Sequence, residues 1–271
     1  MRRVVAGKAE QVMAYQRFIV CGDSYSEGMT DEVIDGKYRG WADRVADEMA
    51  KAHADFTYVN LAIRGKLLGQ VVEDQVPAAL GFITGPDTLV SFHAGANDAL
   101  RPGYQADVAI ALYKEAVRLI AKSGAQLMLF TVLENTGNKG RGAEVWQKRF
   151  SAFNNGVREV GAEVGAIVVD ANQERFFSDR LFLAFDRLHL NAEGHNRCAQ
   201  AVLEKLNLPF DPAWRTPLPP AKKTPWVIEK LITVAWFFVF ALPWIFRRIR
   251  GKSSGDGRSA KYPTPVKWPV K

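Results

Sequence analysis

The chain has 271 residues, enough for one ordinary domain and an appendage, and its 36 Lys and Arg against 29 Asp and Glu give a formal net charge of +7. That charge belongs to one end: residues 1–209 hold 24 basic and 26 acidic side chains, residues 210–271 hold 12 and 3. The two cysteines, Cys21 and Cys198, exclude a disulfide framework and read as small buried apolar residues.

Residues 1–16 form an N-terminal extension. It carries Arg2, Arg3, Lys8 and Glu10 but no apolar stretch of signal-peptide length, so the body of the protein is expected in the cytoplasm. The apolar run Phe18–Cys21 predicts a strand, and a helix follows near 40–53. The alternation continues with strands over 56–60, 88–92, 126–131 and 166–170, separated by helices over about 67–80, 106–122 and 143–164. A last helix is expected over 192–206, with Asn191 as its N-cap. Five strands alternating with helices predict right-handed crossovers and a parallel five-stranded sheet, in a three-layer α/β/α sandwich spanning residues 17–208.

Composition shifts at Pro209, since ten of the thirteen prolines lie from there onward. Residues 209–225 read as an extended polyproline-type linker. Residues 226–250 form an apolar stretch followed by Arg247, Arg248 and Arg250, and residues 251–271 read as a basic tail, disordered unless it docks. The uncharged run Leu231–Phe246 is short for a bilayer span, Pro243 interrupts it, and its arginine flank opposes the positive-inside tendency. A helix lying on an anionic membrane surface through residues 226–252 conflicts with less. Packing on the domain or on a second copy stays open. No nucleic-acid module accompanies the basic tail, and oligomeric state is not readable.

Four segments carry chemistry. Gly22-Asp23-Ser24-Tyr25-Ser26-Glu27-Gly28 puts a hydroxyl, Ser24, at the carboxyl end of the first strand, where open α/β sheets bind ligands. Asp186-Arg187-Leu188-His189 supplies an imidazole and, three residues before it, a carboxylate that can hold one ring nitrogen while the other faces Ser24. Asn60–Gly65 and Gly95-Ala96-Asn97-Asp98 follow the second and third strands. Gly65 can offer an unobstructed backbone N–H, and Asn97 an amide N–H, to developing negative charge.

On these residues the chain resembles the SGNH, or GDSL-type, hydrolase superfamily over about Arg17–Leu208. The family's serine, glycine, asparagine and histidine match Ser24, Gly65, Asn97 and His189 in order. Tyr25 and Ala96 depart from commoner leucine and glycine at positions that carry no reacting group. The resemblance implies a flavodoxin-like fold and a cofactor-independent serine esterase or lipase-like acyl hydrolase. Ser24, Asp186 and His189 would form its catalytic triad, and Ser24, Gly65 and Asn97 its oxyanion hole. The substrate would be a small-molecule or lipid ester. An acyltransferase, a carbohydrate deacetylase or a catalytically silent membrane-tethered scaffold remains as an alternative. Asp23 is expected to hold the serine turn, Asp98 the asparagine loop, and Asp170 to be structural. Among the other histidines, His53 is expected to be solvated, His93 to line the pocket or satisfy a core hydrogen bond, and His195 to point away from Ser24. His93, Asp98 and His189 match no familiar metal-ligand spacing. Arg64 and Arg101 flank the site, and Glu134 and Asn135 are placed along the cleft without a role.

Overall fold

Phe18, Ile19, Val20 and Cys21 are all fully buried, because β1 (Arg17–Gly22) is covered by helices on both faces, as a central parallel strand must be. The computed structural model describes residues 15–134, 140–173, 180–220 and 224–270, and at Arg248 only the backbone. Most of the N-terminal extension and Asn135 therefore lie outside the described residues.

A short hairpin, β2 (Val33–Ile34) with β3 (Lys37–Tyr38), precedes α2 (Gly40–Ala50) and β4 (Thr57–Asn60). Next come α3 (Leu68–Gln70), a π-helical turn over Val71–Gln75 and α4 (Val76–Phe82), leading to β5 (Thr88–His93) and the single turn α5 (Ala96–Ala99). The rest of the core is α6 (Ala106–Ala121), β6 (Gln126–Phe130), α7 (Arg141–Val164), β7 (Ile167–Val169) and α8 (Ala192–Lys205). The expected strands and helices are thus present. Five strands lie side by side in the order β7-β6-β5-β1-β4 and are mutually parallel.

This order reverses at β1: the chain steps from β1 to β4 on one side, then crosses to β5 on the other. The carboxyl ends of β1 and β5 consequently diverge into a crevice, the position where open α/β sheets take their ligands. One apolar layer packs α2 and α8 on the sheet through Trp41, Val45, Met49, Ala199 and Val202. The opposite layer packs Val71, Tyr113, Val117, Phe153 and Val157 against Ile19, Val90 and Leu129.

The tail corrects the expectation of disorder. Following α9 (Trp226–Trp236), a π-helical segment over Phe237–Ala241 and α10 (Leu242–Ile249), the chain returns as β8 (Tyr262–Lys267), antiparallel to β4. The sheet is therefore six-stranded and mixed rather than five-stranded. Pro263 and Pro265 are compatible with β8 because an edge strand needs donors on one side only, and they block further strand addition. Lys261 Nζ lies 2.7 Å from Asp43 Oδ1, with both side chains about 95% buried, and also donates to the carbonyls of Tyr38 and Arg39 at 2.9 Å. Trp268 covers the Tyr58 ring edge-on at 4.9 Å and donates its indole N–H to Asp47 at 2.8 Å. The segment after Pro209 likewise is not an extended linker throughout. Pro212–Arg215 forms a 3-10 turn that buries Trp214, and Arg197 donates to the Trp214 carbonyl at 2.8 Å.

Burial raises Asp43 to about 6 and lowers Lys261, so the attraction within the pair offsets its dehydration only in part. Removing one member strands the other. Lys261→Met is expected to lower unfolding free energy by about 3–5 kcal/mol, and the double variant Asp43→Asn/Lys261→Met to lose clearly less, measured by urea denaturation. Equal losses would contradict the desolvation argument.

Candidate active site

Ser24 opens α1 (Ser24–Glu27), one helical turn directly after β1. Asp23 caps the turn by accepting the Tyr25 N–H at 3.2 Å. Gly28 ends it with φ 90°, and its Cα packs so closely on Gly40 that a Cβ on either would overlap backbone. The serine is thereby fixed at the crevice, 91% buried.

The histidine loop folds around its own acid. Asp186 Oδ1 accepts the backbone N–H groups of Leu188 and His189 at 3.0 Å each, an Asx-type turn that brings the carboxylate back to the ring. Asp186 Oδ2 then lies 2.6 Å from His189 Nδ1, and His189 Nε2 lies 2.9 Å from Ser24 Oγ. Burial pushes the Asp186 carboxyl up, but the His189 ring and the two N–H groups outweigh it and hold the group below its ordinary value. It is therefore an anion at neutral pH, facing the nitrogen that must carry a proton if Nε2 is to accept one from Ser24. Asn191, two residues on, accepts the Gly194 N–H at 2.9 Å and starts α8, which anchors the loop.

Gly65 and Asn97 meet Ser24 from the neighbouring strand ends. Gly65 has φ 73°, and Arg64 beside it donates its backbone N–H to Glu27 at 2.6 Å while its guanidinium pairs with the same carboxylate. Asp98 accepts the Leu68 N–H at 2.9 Å, and Asn97 donates its amide to the Lys66 carbonyl at 3.1 Å and to Asp23 Oδ2 at 3.0 Å. These bonds tie the serine, glycine and asparagine loops together. The backbone N–H groups of Ser24 and Gly65 have no acceptor among the described residues. Burial raises Asp23 despite the neighbouring His93 and the bonds it accepts.

The other candidates have different positions. His93 ends β5 and is buried, its Nδ1 3.9 Å from Asp23 Oδ1, and burial lowers its pKa. His195 donates Nε2–H to the Met29 carbonyl at 3.1 Å, and burial lowers it to about 4, so it stays neutral. Its ring makes no bond to Ser24 but does line the cavity behind it. His53 is half-buried rather than solvated. Asp170 accepts from Thr131 at 2.9 Å and Arg158 at 2.8 Å, away from His189. Glu134 accepts the Asn154 amide at 2.9 Å. The Arg101 carbonyl accepts from Arg149 at 2.7 Å.

Behind Ser24 lies a cavity of about 150 Å³ walled by Leu100, Val132, Leu133, Phe150 and Leu183, with His93 and His195 as polar members. On the Gly65 side is a smaller opening of about 50 Å³, whose outer wall is supplied by Phe240, Trp244, Arg247, Lys252, Ser253 and Ser254. Nothing in local sequence marked these last residues as part of the site. A Cβ on Gly65 would stand 2.5 Å from Ser253 Oγ, and one on Gly255 would overlap the Arg64 carbonyl. Gln75 was missed as well: its amide grips both the N–H and C=O of Gly22, at 2.8 and 3.0 Å, and steadies the backbone two residues before the serine.

The family model of the GDSL-like lipase/acylhydrolases matches residues 20–197. The chain belongs to that family. The family match thus contains Ser24, Gly65, Asn97, Asp186 and His189 and stops short of the C-terminal segment. No curated protein matches the sequence. Among solved structures, an alpha/beta hydrolase enzyme, LAE5, from the metagenome of Lake Arreo in Spain is similar with a TM-score of 0.59 and 18% identity, over 72% of this chain and 96% of that one. The acetylxylan esterase Axe2 of Geobacillus stearothermophilus is similar with a TM-score of 0.58 and 17% identity, over 73% of this chain and 95% of that one. At that identity these likenesses establish the fold.

Proposed function

We propose that the protein is a serine hydrolase of short-chain carboxylic esters. The Ser24 Oγ, His189 Nε2, His189 Nδ1 and Asp186 Oδ2 relay, with contacts of 2.9 and 2.6 Å, is the observation that carries this reading. Ser24 Oγ attacks the ester carbonyl carbon as His189 Nε2 takes its proton, while Asp186 fixes the tautomer and stabilises the imidazolium. The carbonyl oxygen becomes an oxyanion and meets the N–H groups of Ser24 and Gly65, with Asn97 turning one amide hydrogen from the Lys66 carbonyl as a third donor. Collapse breaks the bond to the alcohol, which leaves with the proton from Nε2. Water, deprotonated by the same nitrogen, then releases the acid from acyl-Ser24.

Ser24→Ala and His189→Ala are expected to lower kcat by at least about a thousand-fold, and Asp186→Asn comparably, because a neutral amide no longer fixes the tautomer. A serine-directed phosphonate should label the native protein and not Ser24→Ala. A folded protein that takes no label would favour a silent scaffold.

The acyl group faces the 150 Å³ cavity, about the volume that accepts one benzene ring in an engineered apolar cavity. Acetyl to hexanoyl groups match that volume, and longer chains exceed it. The acetyl group implied by the name of the acetylxylan esterase Axe2 is within that range. With 4-nitrophenyl esters, kcat/KM should peak at or below six carbons and fall beyond about eight. A maximum at twelve would overturn the size argument.

The C-terminal helix supports a membrane-surface location. Trp226–Arg247 is long and apolar enough to cross a bilayer, and none of it is buried. Its inner stripe, Thr233, Trp236, Phe240 and Trp244, follows helical spacing and faces the domain. Trp236 donates to the Asp186 carbonyl at 3.0 Å and Arg187 to Thr233 at 3.1 Å. Its outer stripe, Val227, Leu231, Val234 and Phe238, is exposed. A helix apolar on both sides but covered on one needs a second apolar phase. Spanning is incompatible with the return of the chain to β4, since it would put β8 across the bilayer from its partner strand. The helix therefore lies in the interface, with Arg250 near anionic headgroups. Leu231→Glu/Phe238→Glu is expected to abolish co-sedimentation with phosphatidylglycerol vesicles while leaving the fold intact. Native protein that ignores vesicles and sediments as a dimer would instead assign the outer stripe to a second copy.

A further inference from the structure

Resting on the ester-hydrolase reading, we propose that the C-terminal segment makes the site selective for esters whose alcohol carries a phosphate or similar anion, with Arg247 and Lys252 as the residues that recognise it. Ser24, Met29, Asn97, Leu188 and His189 line both spaces at the centre of the molecule. The cavity behind them is mainly apolar, walled by Leu100, Val132, Leu133, Phe150 and Leu183, which suits an acyl chain. The other space adjoins Ser24 and His189 on the Gly65 side, and with the acyl chain in the apolar cavity it is left for the alcohol.

That opening is where positive charge gathers. Arg247 ends the inner face of the helix and Lys252 begins the loop that lies on Gly65, and both line the same opening as Ser24 and His189. Neither is paired with a carboxylate among the described residues. Other cations nearby are engaged: Arg64 with Glu27 and Lys261 with Asp43, while Arg258 donates to the Ser254 carbonyl at 3.0 Å. Asp256, the acid of this loop, is turned toward backbone and accepts the Ser253 N–H at 2.9 Å. Two cations without a carboxylate partner among the described residues thus line one opening, one a guanidinium fork suited to phosphate oxygens and one a point charge. The placement is not a by-product of the family fold, because the family match ends at residue 197 and the segment that brings both cations begins beyond it. Phe240 and Trp244 hold the helix against the opening, so the charges are carried on a packed element.

The test compares two soluble substrates that differ only in a phosphate group, 1-hexanoylglycerol and 1-hexanoylglycerol 3-phosphate, with native protein, Arg247→Gln, Lys252→Gln and the double variant. The native kcat/KM should favour the phosphate ester at least tenfold, mainly through KM, and the double variant should bring the ratio close to one. Raising salt should lower the native ratio in the same direction. A native ratio of one or less, or a ratio the double variant does not move, overturns the head-group assignment. Cleavage of the neutral ester in that case leaves the hydrolase reading standing. Failure to cleave either ester, together with no phosphonate labelling of Ser24, removes both. The phosphate could belong to a dissolved alcohol or to a lipid, and dihexanoyl phosphatidate separates the sources. A rate that saturates below the aggregation point assigns a soluble ester, and a second rise as aggregates form assigns a lipid head group.

Discussion

The antiparallel pairing of β8 with β4, locked by the buried Lys261–Asp43 pair, is the constraint on which the functional architecture depends. It fixes the end of the chain to the same sheet that carries Ser24 on its central strand. The apolar helix between Trp226 and Arg247 is thereby held at both ends and cannot leave the domain as a free anchor would. A helix so tethered has one place to lie, over the carboxyl ends of the strands, and that is where the crevice opens. The pair that does this is electrostatically poor in isolation, since burial raises the acid and lowers the amine. What it supplies is register: a misaligned tail would leave a buried charge without its partner, a larger cost than the net gain of the aligned state.

The same arrangement explains why the π-helical segment and Pro243 fall where they do. Proline lacks an N–H and its ring crowds the preceding turn, so a regular helix through residue 243 would leave a carbonyl unbonded and bend. Widening the turn over Phe237–Ala241 absorbs the irregularity just before the proline, and the helix continues as α10. The inner stripe keeps its direction across the change: Trp236 meets the histidine loop, and Phe240 and Trp244 reach the opening beside Gly65. The tryptophan on the Asp186 carbonyl joins the helix to the loop that carries the acid and the histidine, so displacement of the helix and the geometry of His189 are mechanically linked.

The core of the fold was legible because its strands are buried on both faces and read as unbroken apolar runs, and because each is followed by a turn segment with glycine or asparagine. The residues that meet at the crevice were legible for a chemical reason. Each lies within a short motif whose local hydrogen bonds, such as those of Asp186 to Leu188 and His189, are encoded by residues three apart or fewer. The tail was misread because its evidence is non-local. Lys261 is recognisable as a buried cation only beside Asp43, and Trp268 as a core residue only beside Tyr58, more than two hundred positions earlier. Prolines at 263 and 265 argue against a central strand and say nothing against an edge. For the same reason Gln75 and the Arg64–Glu27 pair, which steady the serine and glycine loops from a distance, left no local pattern to read.

Charge accounting changes once the tail is seen folded. The sequence excess of basic residues after Pro209 suggests a uniformly cationic appendage, yet Arg215, Lys261 and Lys267 are neutralised by Glu204, Asp43 and Asp55. Among the described residues, Arg247 and Lys252 lack such partners and stand where the apolar helix joins the loop on Gly65. A segment whose function was only to meet an anionic surface could carry its charges anywhere on the outer stripe, where lipid would reach them. Here the outer stripe of Val227, Leu231, Val234 and Phe238 is uncharged, and Arg247 and Lys252 stand at the cleft. The proposed apolar contact with a membrane and the proposed charge recognition at the site thus use different faces of one element. An ester held by its anion at the interface would have its carbonyl beside Ser24 and its acyl chain in the apolar cavity behind.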